Sequence, residues 1–209
     1  MGVSKRDTYR HGDLRRALLE AGMELARRGG PDAVVLREAT RRVGVAPSAA
    51  YRHFEDRRAL LDAVCSAAQA ELAVAIEKEL DGSSRDGDAA GVARAKLRGV
   101  GTGYLKFAQE EPGLFRTAFS ASENLRNAAS PARAGKEGLT PFQLLGAALD
   151  EMVGAGVLPE ERRPAAEFLA WSAVHGLSML LIDGPLRGLD RGMADDVGQR
   201  LIDMVERGL

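Results

Sequence analysis

"VGVAPSAAYRHF", residues 43–54, is the stretch on which the reading of the fold turns. A glycine sits between two valines, a proline and three small residues follow, and then a phenol, a guanidinium, an imidazole and a phenyl ring stand side by side. Gly44 is the residue type that most easily takes a positive φ, and it stops a helix there. Pro47 opens the next helix, where its missing N–H costs nothing. Tyr51 and Phe54, three apart, fall on neighbouring positions of one face of that short helix.

Outward from this stretch the pattern is helical on both sides. Upstream, Leu36, Ala39 and Val43 turn inward and Arg37, Arg41 and Arg42 outward. Before them Leu14, Ala17, Leu18, Ala21, Leu25 and Ala26 make one stripe between Asp13 and Arg28, closed by Gly29-Gly30-Pro31. Downstream, Asp56 is a natural N-cap for a long helix from about Arg57 to Leu80. Its inward set is Leu60, Leu61, Val64, Ala68, Leu72 and Ile76.

One longer helix, then two short helices across a glycine turn, is a helix-turn-helix pattern. In that unit the second short helix lies in the major groove of DNA, about 12 Å wide, with its first residues near the base edges. Pro47, Ser48, Ala49 and Ala50 let the backbone approach, and Tyr51, Arg52 and His53 supply donors for phosphates or base edges. Arg37 faces outward beside them. Arg57, followed by Arg58, stands at a helix N-terminus, where free N–H groups and the helix dipole favour a phosphate. Arg10 and His11, with Lys5 and Arg6, form a basic arm suited to the backbone or a minor groove. Val43, Val45 and Phe54 anchor the unit to a small core.

The charge balance agrees. Net charge is −1, but residues 1–60 carry 13 Lys and Arg against 8 Asp and Glu, and the remainder 16 against 22. A basic front on an acidic body points to a polyanion partner for the front. Cys65 is the one cysteine, so no intramolecular disulfide forms. No run has signal-peptide character, and none reaches the ~20 apolar residues of a membrane span. A cytoplasmic protein with no membrane partner is expected.

The remainder also reads as helix. Segments from about Val92 to Gln109, "GLFRTAF", Thr140-Pro141 to about Ala155, Arg163–Ile182 and Asp190–Arg207 bring the total to about nine, with no strand and no repeat. Residues 81–91 are a polar loop, and 121–138 read as a mobile one. The fold class is therefore all-α: an N-terminal three-helix DNA-binding unit (residues 1–58) ahead of a larger helical domain (residues 59–209).

"YRHGDLRRALLEAGMELARRGGPDAVVLREATRRVGVAPSAAYRHFEDRRALLDAV", residues 9–64, resembles the N-terminal domain of TetR-family transcriptional regulators. The order carries the likeness: an aliphatic first helix, "LREATRRVGV", "YRHF", and then Phe54, Arg57 and Leu60 as F-x-x-R-x-x-L. "GYLKFAQEEPGLFRTAFS" (103–120) and "WSAVHGL" (171–177) are similar to the C-terminal domain of a TetR subgroup marked by Trp–His–Gly, here Trp171, His175 and Gly176. The resemblance implies a homodimeric regulator that binds a palindromic operator and responds to a small-molecule effector, most often as a repressor. It departs from the family at Val35 and Ala46, where Ser or Thr would cap the two short helices, and Arg57 stands for the usual lysine.

The helix over 163–182 is apolar almost all round and needs cover on more than one side. With the last helix it suits a four-helix interface between two copies, through Leu177, Leu181, Val197, Leu201, Met204 and Val205. A fully intramolecular core is the other solution. Candidate effector contacts are Tyr104, Phe107, Phe115, Phe119, Phe142, Trp171, His175 and Met179, with His175 as a polar anchor in apolar surroundings. Plain core packing is the competing reading for each of them. No cofactor is expected, and no metal, because His11, His53, His175 and Cys65 lack ligand spacing. No phosphate loop, dinucleotide fingerprint or G-x-S-x-G supports an enzyme. The alternative is a small-molecule-binding protein, or an enzyme, on the same scaffold without operator binding.

Overall fold

Asp56 begins the helix around which the chain is built, its carboxylate accepting the Ala59 N–H at 2.8 Å. The computed structural model describes residues 11–83, 87–120 and 129–209, with side chains from Leu14. Among them are nine α-helices and no strand: α1 (His11–Gly29), α2 (Leu36–Val43), α3 (Pro47–Ala50), α4 (Arg57–Asp81), α5 (Ala89–Glu110), α6 (Pro112–Ala118), α7 (Pro141–Gly154), α8 (Ala166–Ile182) and α9 (Arg191–Gly208). Single turns of 3-10 helix lie at Pro31–Ala33, Pro131–Arg133 and Glu160–Arg162.

Most boundaries follow from local chemistry. Gly44 takes φ 76 and ends α2, its N–H donating to the Thr40 carbonyl. Thr140 and Gln143 close a reciprocal capping box at α7, with Pro141 at the first position. Asp88 and Asp190 cap α5 and α9 by accepting the Gly91 and Met193 N–H groups. α8 starts later than expected, at Ala166, because Ala165 has φ 64 and interrupts the helical path after Pro164.

The core is continuous through the molecule. Leu14, Leu18, Leu25, Leu36, Phe54, Leu60 and Val64 form its N-terminal end, and Leu72, Ile76, Leu97, Tyr104, Phe115, Leu149 and Met152 continue it. Helix α4 belongs to both parts: it packs on α1 and on α5, α6 and α7. Its length and composition alone would also suit a membrane span, but Leu60, Val64, Ala68, Leu72 and Ile76 are fully buried by neighbouring helices.

Residues 129–138 depart from the expected mobile loop. The Glu77 carboxylate on α4 accepts the Lys136 and Glu137 N–H groups at 2.9 and 3.0 Å, tying the segment down. Arg133 is buried at the turn that precedes it. Residues 121–128 lie outside the described residues.

Candidate nucleic-acid interface and internal cavity

Ala50 and Phe54 set the attitude of α3. Both are buried, and the Phe54 and His53 N–H groups donate to the Ala50 carbonyl, carrying the turn one step past the helix. With that side fixed inward, Pro47, Ser48, Tyr51 and Arg52 stand outside, Tyr51 with 59% of its surface exposed. Ala49 and His53 are half-buried and Arg37 is exposed. Arg15 lies over the Phe54 ring at 5.2 Å, so one cation is absorbed in holding the unit together. Val35 and Ala46 start α2 and α3 with no side-chain capping bond, as the residue types dictate.

One expectation is corrected here. Ala50 faces the core, because Phe54 and the α1 stripe need cover, and is not available to a groove. Arg57 is partly engaged within the unit: its Nε donates to the Val34 carbonyl at 2.9 Å and a terminal nitrogen to Pro31 at 2.8 Å, clasping the 31–34 turn to α4 while the residue stays exposed. Arg10 and the side chain of His11 lie outside the described residues.

Between this unit and the rest, α6 sits flush on the end of α1. A Cβ on Gly113 would collide with the Ala26 and Arg27 carbonyl oxygens, so only glycine permits the approach. Arg27 ties three helices together, donating to Glu71 of α4 at 2.6 and 2.9 Å and pairing with Glu111 before α6 at 3.3 Å. Arg116 of α6 pairs with Asp183 at the end of α8 at 3.0 Å.

Inside the C-terminal helices is a cavity of about 460 Å³, within the range of small-molecule sites. Of the candidate effector contacts, Tyr104, Phe119, Phe142, Trp171 and His175 line it. A chain of hydrogen bonds crosses its wall: the Trp171 Nε1–H donates to Tyr104 Oη at 3.0 Å, and that hydroxyl lies 2.8 Å from His175 Nδ1. Burial raises the Tyr104 pKa and lowers that of His175, so the phenol stays protonated and the imidazole neutral. The hydroxyl, which accepts the indole N–H, shares one further hydrogen bond with Nδ1 of the neutral imidazole.

Phe107, Phe115 and Met179 do not line the cavity. Phe115 is fully buried behind it, edge-on to Tyr104 at 5.3 Å, and the other two pack into the surrounding core. Cys65, Gln69 and Arg133 line it without any sign of this in their local sequence. The first two sit in α4 among residues that read as ordinary core, and the third in a segment that reads as loop.

The apolar outer face of α8 and α9 is also displaced from expectation. Leu177 is 7% exposed and packs with Leu105 and Ile202 inside its own chain. Leu181 and Leu201 are half-buried against that cluster, and Val205 lines the cavity. Val197 and Met204 are exposed, the latter at 61%, alongside Met193. On α8 the exposed set is Phe168, Leu169 (66%) and Leu180, with Ser172 and Gly176 between them. Val197 and Met204 of the expected set are thus exposed, whereas Leu177, Leu181, Leu201 and Val205 are turned toward their own chain.

Residues 97–205 match the tetracyclin repressor-like C-terminal domain, and residues 18–64 match the tetR family of bacterial regulatory proteins. Among solved structures, the chain is similar to a protein of unknown function from Rhodococcus sp. RHA1, at 27% identity and TM-score 0.74, covering 98% of this chain and 99% of that one. It has the fold of the TetR family regulator PfmR from Thermus thermophilus, at 22% identity and TM-score 0.57 over 92% and 98% of the two chains. It also has the fold of a TetR variant from Acinetobacter baumannii AYE in complex with minocycline, at 18% identity and TM-score 0.57 over 99% and 96%. No curated protein sequence matches the chain.

Proposed function

We propose, for a chain that belongs to the TetR family of bacterial regulatory proteins and is a DNA-binding transcriptional regulator, that it is a repressor released from its operator by a small molecule. The observation that carries this reading is the pairing of two surfaces. Pro47, Ser48, Tyr51 and Arg52 are exposed on a helix pinned from behind by Ala50 and Phe54, and the same molecule contains a largely apolar cavity with the Trp171–Tyr104–His175 chain in its wall.

On this reading residues 1–58 carry the DNA contacts and residues 59–209 the effector site and the dimer interface. The exposed strip on α8 and α9 supports a homodimer through a four-helix interface, with Leu169, Leu180, Val197 and Met204 at its centre. The two reading helices then enter successive major grooves, about 34 Å apart, on a palindromic site. A cytoplasmic location and the absence of enzymatic activity belong to the same reading. The effector acts only through different affinities for the operator-bound and released conformers.

The route from cavity to DNA follows named contacts. Cys65, Gln69 and Ile76 of α4 line the cavity, and the start of the same helix holds the 31–34 turn through Arg57. From α8, Asp183 reaches Arg116 of α6, whose Gly113 abuts α1.

The test is fluorescence anisotropy on DNA from the gene's own upstream region at several salt concentrations. The expected result is specific binding by a dimer, with log affinity falling linearly in log salt. Binding that ignores salt, or is equal on unrelated DNA, would leave only a helical ligand-binding protein on this scaffold.

A further inference from the structure

The cavity differs chemically between its two ends. The hypothetical Cβ of Gly103 meets Ile76, and that of Gly99 meets Leu80, so α5 runs antiparallel to α4. Cys65 and Gln69 therefore lie at one end of the cavity and Leu97 at the other, roughly 20 Å apart along the helix axis at 1.5 Å per residue. At the first end the Cys65 thiol and the Gln69 amide are turned to the Thr117 and Ala118 carbonyls at 2.9 and 2.7 Å. Arg133, 6% exposed, stands beside them in the cavity wall. At the second end the wall is Leu97, Val100, Ile202 and Val205. Among the described lining residues, only Arg133 has a formal charge at neutral pH.

We infer that the cavity takes an elongated apolar monoanion, with its acidic head at Arg133 and its hydrocarbon body running past Tyr104 toward Leu97 and Val205. This deepens the effector reading above and rests on it. The physical reasoning is a matter of compensation. A guanidinium stays charged when buried, and its desolvation is offset best by an anion. Burial draws the Arg133 pKa below the ordinary guanidinium value, while Cys65 and Asp62 of α4 oppose that shift and favour the charged form. The guanidinium has five N–H donors, so a ligand carboxylate adds to its protein partners and need not displace them. A neutral ligand would bring no such compensation, and a cation would meet a like charge. The length of the cavity set against a volume of about 460 Å³ favours a chain over a broad ring system.

Trp171, the single tryptophan, lines the cavity and reports on occupancy by its fluorescence. Decanoate, decan-1-ol and decylamine are titrated against the full-length protein. Decanoate is expected to bind at least about tenfold tighter than the alcohol, and the amine more weakly still, as one charge-assisted contact implies. Arg133→Gln should bring the acid down to the alcohol's affinity, while Arg133→Lys keeps part of the preference. Equal affinity for acid and alcohol in the unaltered protein, or no binding of any of the three at millimolar concentration, overturns the inference without recourse to a variant. Operator release is read separately by anisotropy. Arg133-dependent decanoate binding that leaves the DNA complex intact upholds the ligand class and sinks the repressor-release reading. Release by some other compound, with all three probes silent, does the reverse.

Discussion

Tyr104 Oη and His175 Nδ1 lie 2.8 Å apart, and the same oxygen accepts the Trp171 indole N–H at 3.0 Å. One hydroxyl on α5 thus satisfies two polar groups of α8. Tyr104→Phe leaves both unpartnered in a half-buried setting. A loss of about 1–3 kcal/mol in urea unfolding is expected, with a shifted Trp171 emission. Unaltered stability and spectrum would mean the two α8 groups find other partners.

His175 makes stability depend on pH. Burial holds its imidazole below the ordinary value, which in an unfolded chain is about 6.5. Above that pH both states are neutral and the contact is intact. As pH falls through about 6.5 the unfolded chain takes up a proton that the folded one declines, so folding weakens. Melting temperature from pH 7.5 to 5 should fall more steeply for the natural protein than for His175→Gln; superimposable curves would remove His175 as the cause.

Leu169 and Met204 are exposed, whereas Leu177 is enclosed. Leu169→Arg combined with Met204→Arg should yield folded monomers by sedimentation, with operator binding weakened at least tenfold. Leu177→Arg should instead unfold the chain, because an unpaired charge enters a packed cluster. A dimer that survives the double substitution puts the interface elsewhere.

Arg52 is exposed on the reading helix, whereas Arg57 clasps the 31–34 turn. Arg52→Ala should weaken operator binding by about 1–3 kcal/mol and leave the melting temperature within a degree or two. Arg57→Ala should lower stability by about 1 kcal/mol, since it frees the Val34 and Pro31 carbonyls. The reverse pattern would exchange their roles.

Val35 is an uncapped helix start with an exposed side chain. Val35→Thr should raise the stability of the N-terminal unit by about 1 kcal/mol, read by thermal unfolding. No gain would show that the α2 N–H groups are already satisfied by water.

What was legible in the sequence was local. Asp56, Gly44, Thr140 and Pro141 fix helix ends through their own backbone and side-chain chemistry, and the structure follows them. What was not legible depended on distant partners. Glu77 restrains residues 59 and 60 positions away, and nothing near Lys136 announces it. The clasp of Arg57 was not legible either, because its partners are the Val34 and Pro31 carbonyls, which no residue type reveals. α8 is apolar all round, so periodicity cannot choose its inner side; Leu177 turned in and Leu169 out because Leu105 and Ile202 claim the former. Arg133 was invisible as a cavity residue for the same reason: its segment has loop composition, and packing on α4 with the Glu77 tether brings it to the wall.

Helix α4 runs unbroken from Arg57 to Asp81, and that continuity constrains how such a regulator diversifies. There is no seam between sensor and reader where halves could be traded. A cut after residue 58 falls in its first turn, and a single inserted residue would rotate everything beyond by about 100°. New specificities must therefore arise by altering side chains along a shaft of fixed phase, and grafted chimeras will work only when they inherit the whole shaft from one parent.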